Sequence, residues 1–184
     1  MDDHPLGTLE YLSAAETNRP RELAYGILRE PPSPFFSHQA VVLRIARILG
    51  DHVETRKLGR IAVAPLDVIL DRERALIVQP DLLFVAADRL SLVHNQVWGA
   101  PDLVVEVLSA GTEAHDRGEK LGWYRRYGVR ECWLVDPIRM EVVVVDFTGA
   151  GPDRRMARGS DAIRSTVLPD LAASALELFD QLTT

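Results

Sequence analysis

Apolar and polar positions follow two rhythms along this chain, and each predicts its own kind of element. From about Ser37, the residues His38, Val41, Val42, Ile45, Ile48, Leu49 and His52 recur at helical spacing. Arg44, Arg47, Asp51 and Glu54 take the other side, which predicts an amphipathic helix closed by a turn at Gly59. A second helix is expected over residues 113–127, ended by Gly128. A third begins near Ser174, where Ser174-Ala175-Leu176-Glu177 has the form of a capping box. Residues 8–17 predict a short helix with Thr8 as its cap. The other rhythm is that of strands: residues 60–70, Leu76–Val85, Leu103–Leu108, Glu131–Val135 and Glu141–Phe147 are apolar and rich in β-formers. The last two flank Asp136-Pro137 and should pair as a hairpin. Glu22–Leu28 reads as extended, interrupted by Gly26. Pro31-Pro32-Ser33-Pro34 must be a loop, because prolines lack the amide donor and restrict the residue before them. Asp71–Arg74 and Asp153–Arg158 read as polar connections, and residues 88–100 as a loop with or without a short helix. The sum is an α/β (α+β) chain with one mixed central sheet flanked by helices. A single domain over residues 1–184 is expected, with no linker to split it.

Composition narrows the class of molecule. At 184 residues the chain has the length of roughly one domain. With 47% hydrophobic and 26% charged residues it is ordinary for a globular protein, not a disordered or fibrous one. Lys+Arg number 21 against 27 Asp+Glu, a net charge of −6. That excludes a broadly basic nucleic-acid coat, though not a local basic groove or a cluster of acids around a metal. The one cysteine, Cys132, rules out an internal disulfide and a cysteine-built zinc cage, and its strand setting suggests core packing. The N-terminus lacks the pattern of a signal peptide, and no apolar run approaches the roughly 20 residues that cross a bilayer. A soluble, cytoplasmic protein with no membrane partner is expected. No P-loop, dinucleotide glycine fingerprint, HExxH or G-x-S-x-G stands in the sequence.

The segment with most chemistry is Pro101-Asp102-Leu103-Val104-Val105-Glu106-Val107-Leu108-Ser109. Its apolar run suggests a strand buried on both faces, and strand periodicity puts Asp102, Val104, Glu106 and Leu108 on one of them. A carboxylate in that position is costly unless it is paired, hydrogen-bonded, protonated or bound to a cation. Asp81 in the preceding β run and Lys120 on the following helix are the candidates to meet Glu106. If the two acidic strands are neighbours, their carboxylates converge, and a hard divalent metal such as Mg²⁺ would relieve the repulsion. Alternatively, Glu106 takes part in a structural ion pair. Asp116, Lys120 and Tyr124 share a helix face at spacing four, which also fits a plain Asp116–Lys120 surface pair. His38, at the head of the apolar stripe, reads as a boundary histidine before it reads as a ligand.

Taken in order, several segments resemble the Uma family of restriction-endonuclease-like proteins, within the PD-(D/E)XK nuclease superfamily. They are Glu22-Leu23 with Gly26, Pro32-Ser33-Pro34, His38-Gln39, Ala64-Pro65-Leu66-Asp67-Val68, and Gln79-Pro80-Asp81-Leu82. Ala100 to Ser109, Asp116 with Lys120 and Tyr124, Gly128-Val129, and Cys132 to Pro137 complete the set. The resemblance implies a restriction-endonuclease-like core and a hydrolase: a nuclease cutting phosphodiester bonds in DNA with Mg²⁺ or Mn²⁺. It implies that Asp81 and Glu106 bind the metal. The superfamily lysine normally stands two residues beyond the second acid, where this chain has Leu108, so the lysine falls to Lys120 on the next helix. Glu22, Asp102, Ser109, His38 and Gln39 are implied as supporting residues. Ala110-Gly111 stands where the family usually has proline, and Tyr25 where it often has an acid. Nucleases of this fold often dimerise, so a homodimer is expected at the family level. Arg117, Lys120, Arg125 and Arg126 are candidates for contacts with DNA, and −6 overall predicts weak, salt- and metal-sensitive binding. Two other readings share these residues: a catalytically silent binding or scaffold protein, and a small-molecule phosphohydrolase.

Overall fold

The computed structural model describes residues 5–14, 19–109 and 116–182. Two sheets and a long helix make up its frame. The helix α2 (Phe36–Arg56) follows a short α1 (Thr8–Ser13) and buries Val41, Val42, Ile45 and Leu49 of the apolar stripe read from the sequence, with Val53 beyond it. Lys57 ends it in the left-handed region, at φ 56° and ψ 38°. Its N–H donates to the Glu54 carbonyl and that of Leu58 to the Val53 carbonyl, the paired closure of a Schellman motif. The short α1 begins one residue earlier than expected: Gly7 is the cap, and the Thr8 hydroxyl donates to the Arg72 carbonyl instead.

Six strands form the mixed central sheet: β3 (Gly59–Val63), β6 (Leu82–Ala86), β8 (Leu103–Val107), β9 (Glu131–Asp136), β10 (Glu141–Asp146) and β11 (Asp153–Arg158). Their order is β11-β10-β9-β8-β6-β3, antiparallel except for the parallel pair β8–β9. β9 and β10 pair as the expected hairpin, with Asp136 opposite Glu141. β8 lies inside the sheet and all five of its residues are buried, which is why it reads as a continuous apolar run. One face of the sheet packs on α2 and on α4 (Ala175–Phe179), with Val105, Val107, Trp133 and Phe179 in that layer.

A second sheet lies outside what the pattern predicted. Its five strands are β1 (Glu22–Ala24), β2 (Ile27–Arg29), β4 (Val68–Asp71), β5 (Leu76–Val78) and β7 (Val97–Trp98), in the order β2-β1-β5-β4-β7. Val68, Leu76 and Val78 from it meet Val104, Leu108, Leu134 and Tyr124 in the layer on the other face of the central sheet. Two apparent strands, 60–70 and Leu76–Val85, are therefore each two strands in different sheets. β3 pairs with β6 and β4 with β5, so a single long hairpin bends from one sheet into the other. The bend falls at Ala64–Asp67 on one arm and Gln79–Asp81 on the other. Pro65 and Pro80 stand there, where each removes a ladder donor. Apolar periodicity runs straight through such a corner, because both halves are buried.

Two other expectations change. Asp153–Arg158 is not a loop but the edge strand β11, in register with the whole of β10. Only Ala157 of it is buried, so its charges face water and mask the strand, as edge strands often do. Glu22–Leu28 is a hairpin rather than one extended piece: Tyr25 (φ 53°) and Gly26 (φ 88°) form its two-residue turn, and both take positive φ. The helix expected over 113–127 is described from Asp116. It opens as a π-helical turn (Asp116–Lys120) and continues as α3 (Leu121–Tyr127), closed by Gly128. Residues 113–115 lie outside the described chain, as do 15–17 of the first predicted helix.

Candidate functional site

The hairpin bend carries Asp81 to the end of β6, next to the C-terminal end of β8. The Asp81 Oδ2 accepts a hydrogen bond of 2.7 Å from the Val107 N–H and lies 3.3 Å from His38 Nε2 on the first turn of α2. Both contacts use the same oxygen. Glu106, one residue before Val107, is 3% exposed. Its Oε1 lies 2.8 Å from the ammonium of Lys120 and also accepts a hydrogen bond from the Tyr124 hydroxyl. Lys120 in turn lies 2.9 Å from Oε1 of Glu22 on β1, and that oxygen accepts the Gln79 N–H at 3.0 Å. Five elements thus deliver one polar cluster between two apolar layers.

These side chains line one open cavity of about 530 Å³, with His38, Gln39, Gln79 and Ser109 on its walls. Of the residues singled out in the sequence, Asp81, Glu106, Lys120, Glu22, His38, Gln39 and Ser109 all come together here. Asp102 does not. It is fully buried at the opposite end of β8, where it accepts the Ala86 N–H and meets Arg89 at 2.8 Å and Arg130 at 3.3 Å. It stands four residue steps before Glu106, roughly 13 Å at 3.3 Å per residue. Sharing a strand face does not mean sharing a site. Lys120 is 4% exposed, so it belongs to the cavity and not to a surface patch. Arg125 and Arg126 remain exposed on α3, while the side chains of Asp116 and Arg117 lie outside what is described.

Tyr124 and Gln79 take part in the cluster although neither is assigned a site role from the sequence. Tyr124 had a signal: it follows Lys120 by four residues, so the two project from one helix face. Burial, reinforced by the Glu106 charge, pushes its phenol well above the ordinary value of 10.0. It therefore stays protonated and keeps donating to Glu106. Gln79 contributes mainly its backbone, and a backbone N–H leaves no trace in residue type. Its side chain also accepts the Arg21 N–H and donates to Asp67, tying the bend to the segment before β1.

The hairpin β1–β2 presses on the helix that carries Lys120. Arg29 and Glu119 meet at 2.7 Å, and Tyr25 packs edge-on against Trp123 with ring centroids 5.9 Å apart. Below them the Tyr127 hydroxyl donates to Asp71, and its phenol is pushed up to about 12, first by burial and then by its bonds to Tyr25 and Asp71. A π-helical turn adds a residue to the helical repeat and often occurs where a functional side chain must be aimed. Here it delivers Lys120.

Four carboxylates, Glu22, Glu30, Asp81 and Glu106, line this cavity against the Lys120 ammonium and the Arg29 guanidinium. That excess of negative charge and the hard oxygen donors of Asp81 and Glu106 fit a divalent cation such as Mg²⁺ or Mn²⁺. Among the described residues no group of three or more His, Cys, Asp or Glu side chains is placed to hold a metal ion. Mg²⁺ does not require one, since it usually keeps several waters and takes one or two carboxylates.

The arrangement of sheets and helices is that of a nuclease-like fold already solved. A structure described as "a putative nuclease belonging to DUF820 from Anabaena variabilis ATCC 29413" superposes with a TM-score of 0.82, over 97% of this chain and 99% of that one, at 20% identity. The chain belongs to the Uma2 family, described as "Putative restriction endonuclease", whose profile it matches over residues 9–176. That span takes in every residue of the cavity. No curated protein matches the sequence. No described helix is long and apolar enough to cross a membrane.

Proposed function

We propose that the protein is a metal-dependent endonuclease that hydrolyses phosphodiester bonds in DNA. One observation carries the reading: Lys120 lies 2.8 Å from Glu106, and Asp81 is fastened to the N–H of the next residue, in one open cavity. Asp81 and Glu106 would hold Mg²⁺ or Mn²⁺. The cation supplies Lewis acidity toward a phosphoryl oxygen and lowers the pKa of water bound to it. The chain does the rest. Tyr124 and Lys120 fix Glu106, and Val107 and His38 fix Asp81, so neither carboxylate has to reorganise. The Lys120 ammonium offsets the negative charge that grows on phosphate as water adds. Membership of a family described as restriction endonucleases supports DNA as the substrate.

A second reading draws on the same contacts. Lys120 sits within 2.9 Å of both Glu22 and Glu106, as it would in a purely structural ion network of a silent binding protein. A cavity of about 530 Å³ also suits a small phosphoester. Plasmid DNA, a single-stranded DNA and a panel of phosphoesters, each incubated with and without Mg²⁺ or Mn²⁺, separate the three. The nuclease reading expects metal-dependent cleavage of one or both DNAs. Asp81→Asn, Glu106→Ala and Lys120→Ala should each lower it by at least 100-fold, on the scale of losing an electrostatic stabiliser, while circular dichroism shows a folded protein. Cleavage of phosphoesters alone would assign the site to small molecules. Absence of any hydrolysis, with no effect of millimolar metal on thermal stability, would leave the binding protein.

A further inference from the structure

The floor and the wall of the cavity differ in chemistry. The floor is ionic and deep: Glu106 is 3% exposed, Lys120 4% and Glu22 6%. The wall carries Pro20, Pro31, Pro32, Pro34 and Phe35, with Arg29, Glu30, Ser33 and Gln39 beside them. Phe35 is 77% exposed and its neighbour Phe36 is 88% exposed. Both stand at the start of α2, and His38 and Gln39 of the next turn line the same cavity. The proline run before them restricts the backbone that presents the rings. Burying a phenylalanine ordinarily stabilises a fold by about 1.5–3 kcal/mol. Two adjacent rings kept in water, one of them lining the cavity, thus mark a surface that something else covers.

The chemistry of that wall points to one occupant. Pyrrolidine rings carry no N–H and phenyl rings no polar atom, so the prolines, Phe35 and Phe36 offer flat apolar faces with few donors to read a base edge. Bases in a duplex hide their faces in the stack and show only their edges, whereas unpaired bases present π-faces that aromatic side chains cover. The depth of the floor agrees. Glu106 and Lys120 are 3% and 4% exposed, so a phosphate has to descend from the rim to reach them. A single strand can bend its phosphate down to Glu106 and Lys120 and leave the flanking bases at the rim. We infer that Phe35 and Phe36 stack on unpaired bases beside the scissile phosphate, and that the substrate is single-stranded or locally unpaired DNA. The substrate assignment rests on the nuclease reading above; the stacking surface does not.

The test compares one labelled DNA oligonucleotide as a single strand, as a duplex with its complement, and as a strand with abasic sites at its centre. Binding is followed by fluorescence anisotropy in Ca²⁺, and cleavage in Mg²⁺ or Mn²⁺. The single strand should bind and be cut in preference to the duplex by on the order of tenfold. Phe35→Ala and Phe36→Ala should each weaken single-strand binding by about five- to tenfold and Phe→Trp should restore it, with melting temperatures unchanged because both rings are exposed. The abasic strand should bind weakly and respond to neither alanine variant. Equal or better binding and cutting of the duplex, or alanine variants without effect, would overturn the inference and leave the nuclease reading intact. Ring-dependent binding of the single strand without any cleavage would overturn the nuclease reading and keep the stacking surface. Neither binding nor cleavage of any DNA would remove both.

Discussion

A carboxylate at the centre of an apolar strand has few ways to stay charged, and at Glu106 two of them operate together: the Lys120 ammonium and the Tyr124 hydroxyl meet the same oxygen. The ammonium is shared with Glu22, so one cation serves two buried acids. Removing one partner of a buried ionic cluster is far more damaging than its net contribution suggests, because the remaining charges keep their desolvation cost. Lys120→Ala should therefore destabilise the fold by about 3–5 kcal/mol, read from the urea midpoint, and adding Glu22→Gln should recover part of that loss. A change below about 1 kcal/mol would mean that water solvates the cluster and the ion pairs are incidental. At this scale the sequence was informative for Glu106, since an acid amid Val104, Val105 and Val107 demands a partner. It was misleading for Asp102, which shares the strand face but satisfies its charge with Arg89 and Arg130 at the far end.

The elements matter here by where they bend. One hairpin, β3–β4 with β5–β6, turns from one sheet to the other, and Asp81 stands on the corner. A second, β1–β2, brings Glu22 to Lys120 and braces the lysine helix through Arg29 and Tyr25. The tight turn of that second hairpin depends on Gly26. Its φ is +88°, and a Cβ there would lie 2.6 Å from the Cβ of Pro5. Gly26→Ala should therefore cost about 1–3 kcal/mol of stability in thermal unfolding. On the proposed nuclease function, it should also lower cleavage beyond what the unfolded fraction explains, because Glu22 and Arg29 move with the turn. Unchanged melting would show that residues 5–6 move aside to make room. Gly59 is constrained more tightly still, with Val85 O 2.0 Å from where a Cβ would stand. The helix α2 and the β9–β10 hairpin were legible because each keeps one period and one environment along its length. The corners were not, since apolar residues on either side of Pro65 and Pro80 look alike whichever sheet they join. The edge strand β11 was hidden by its own charges.

Across the whole molecule, the excess of acid is used in two ways. Some carboxylates fill the cavity, and others hold turns and caps. Asp136 accepts the N–H groups of Ile138 and Arg139 at 2.9 Å, and Asp146 accepts the Thr148 N–H at 2.8 Å. Burial opposes their ionisation, but these hydrogen bonds and the nearby arginines win, and both sit below the ordinary 3.8. Asp71 is held low chiefly by the Arg74 N–H, and Glu177 by the Ser174 hydroxyl and N–H of the predicted capping box. Groups with lowered pKa values bind fewer protons folded than unfolded. Their contribution is therefore complete above the unfolded values and disappears as pH falls through the folded ones. The unfolding free energy should be flat with respect to these groups above roughly pH 5 and fall steeply below about pH 4. Asp136→Asn with Asp146→Asn should lower stability at neutral pH and make the acid limb shallower, as measured by urea titrations across that range. An acid limb identical to that of the wild type would show that other carboxylates govern it.

Residue order alone determined the class of the chain, most of its helices and strands, and which side chains could carry chemistry. Those are local properties: a helix repeats every 3.6 residues, a strand every two, and a buried charge stands out among apolar neighbours. Only the tertiary structure decided that there are two sheets, that one hairpin bends between them, and that Glu22, 84 residues before Glu106, shares its lysine. It also decided that Asp102 lies elsewhere and that Phe35 lines the cavity. Distance through space is set by packing between layers, and no periodicity along the chain encodes which layer a residue joins.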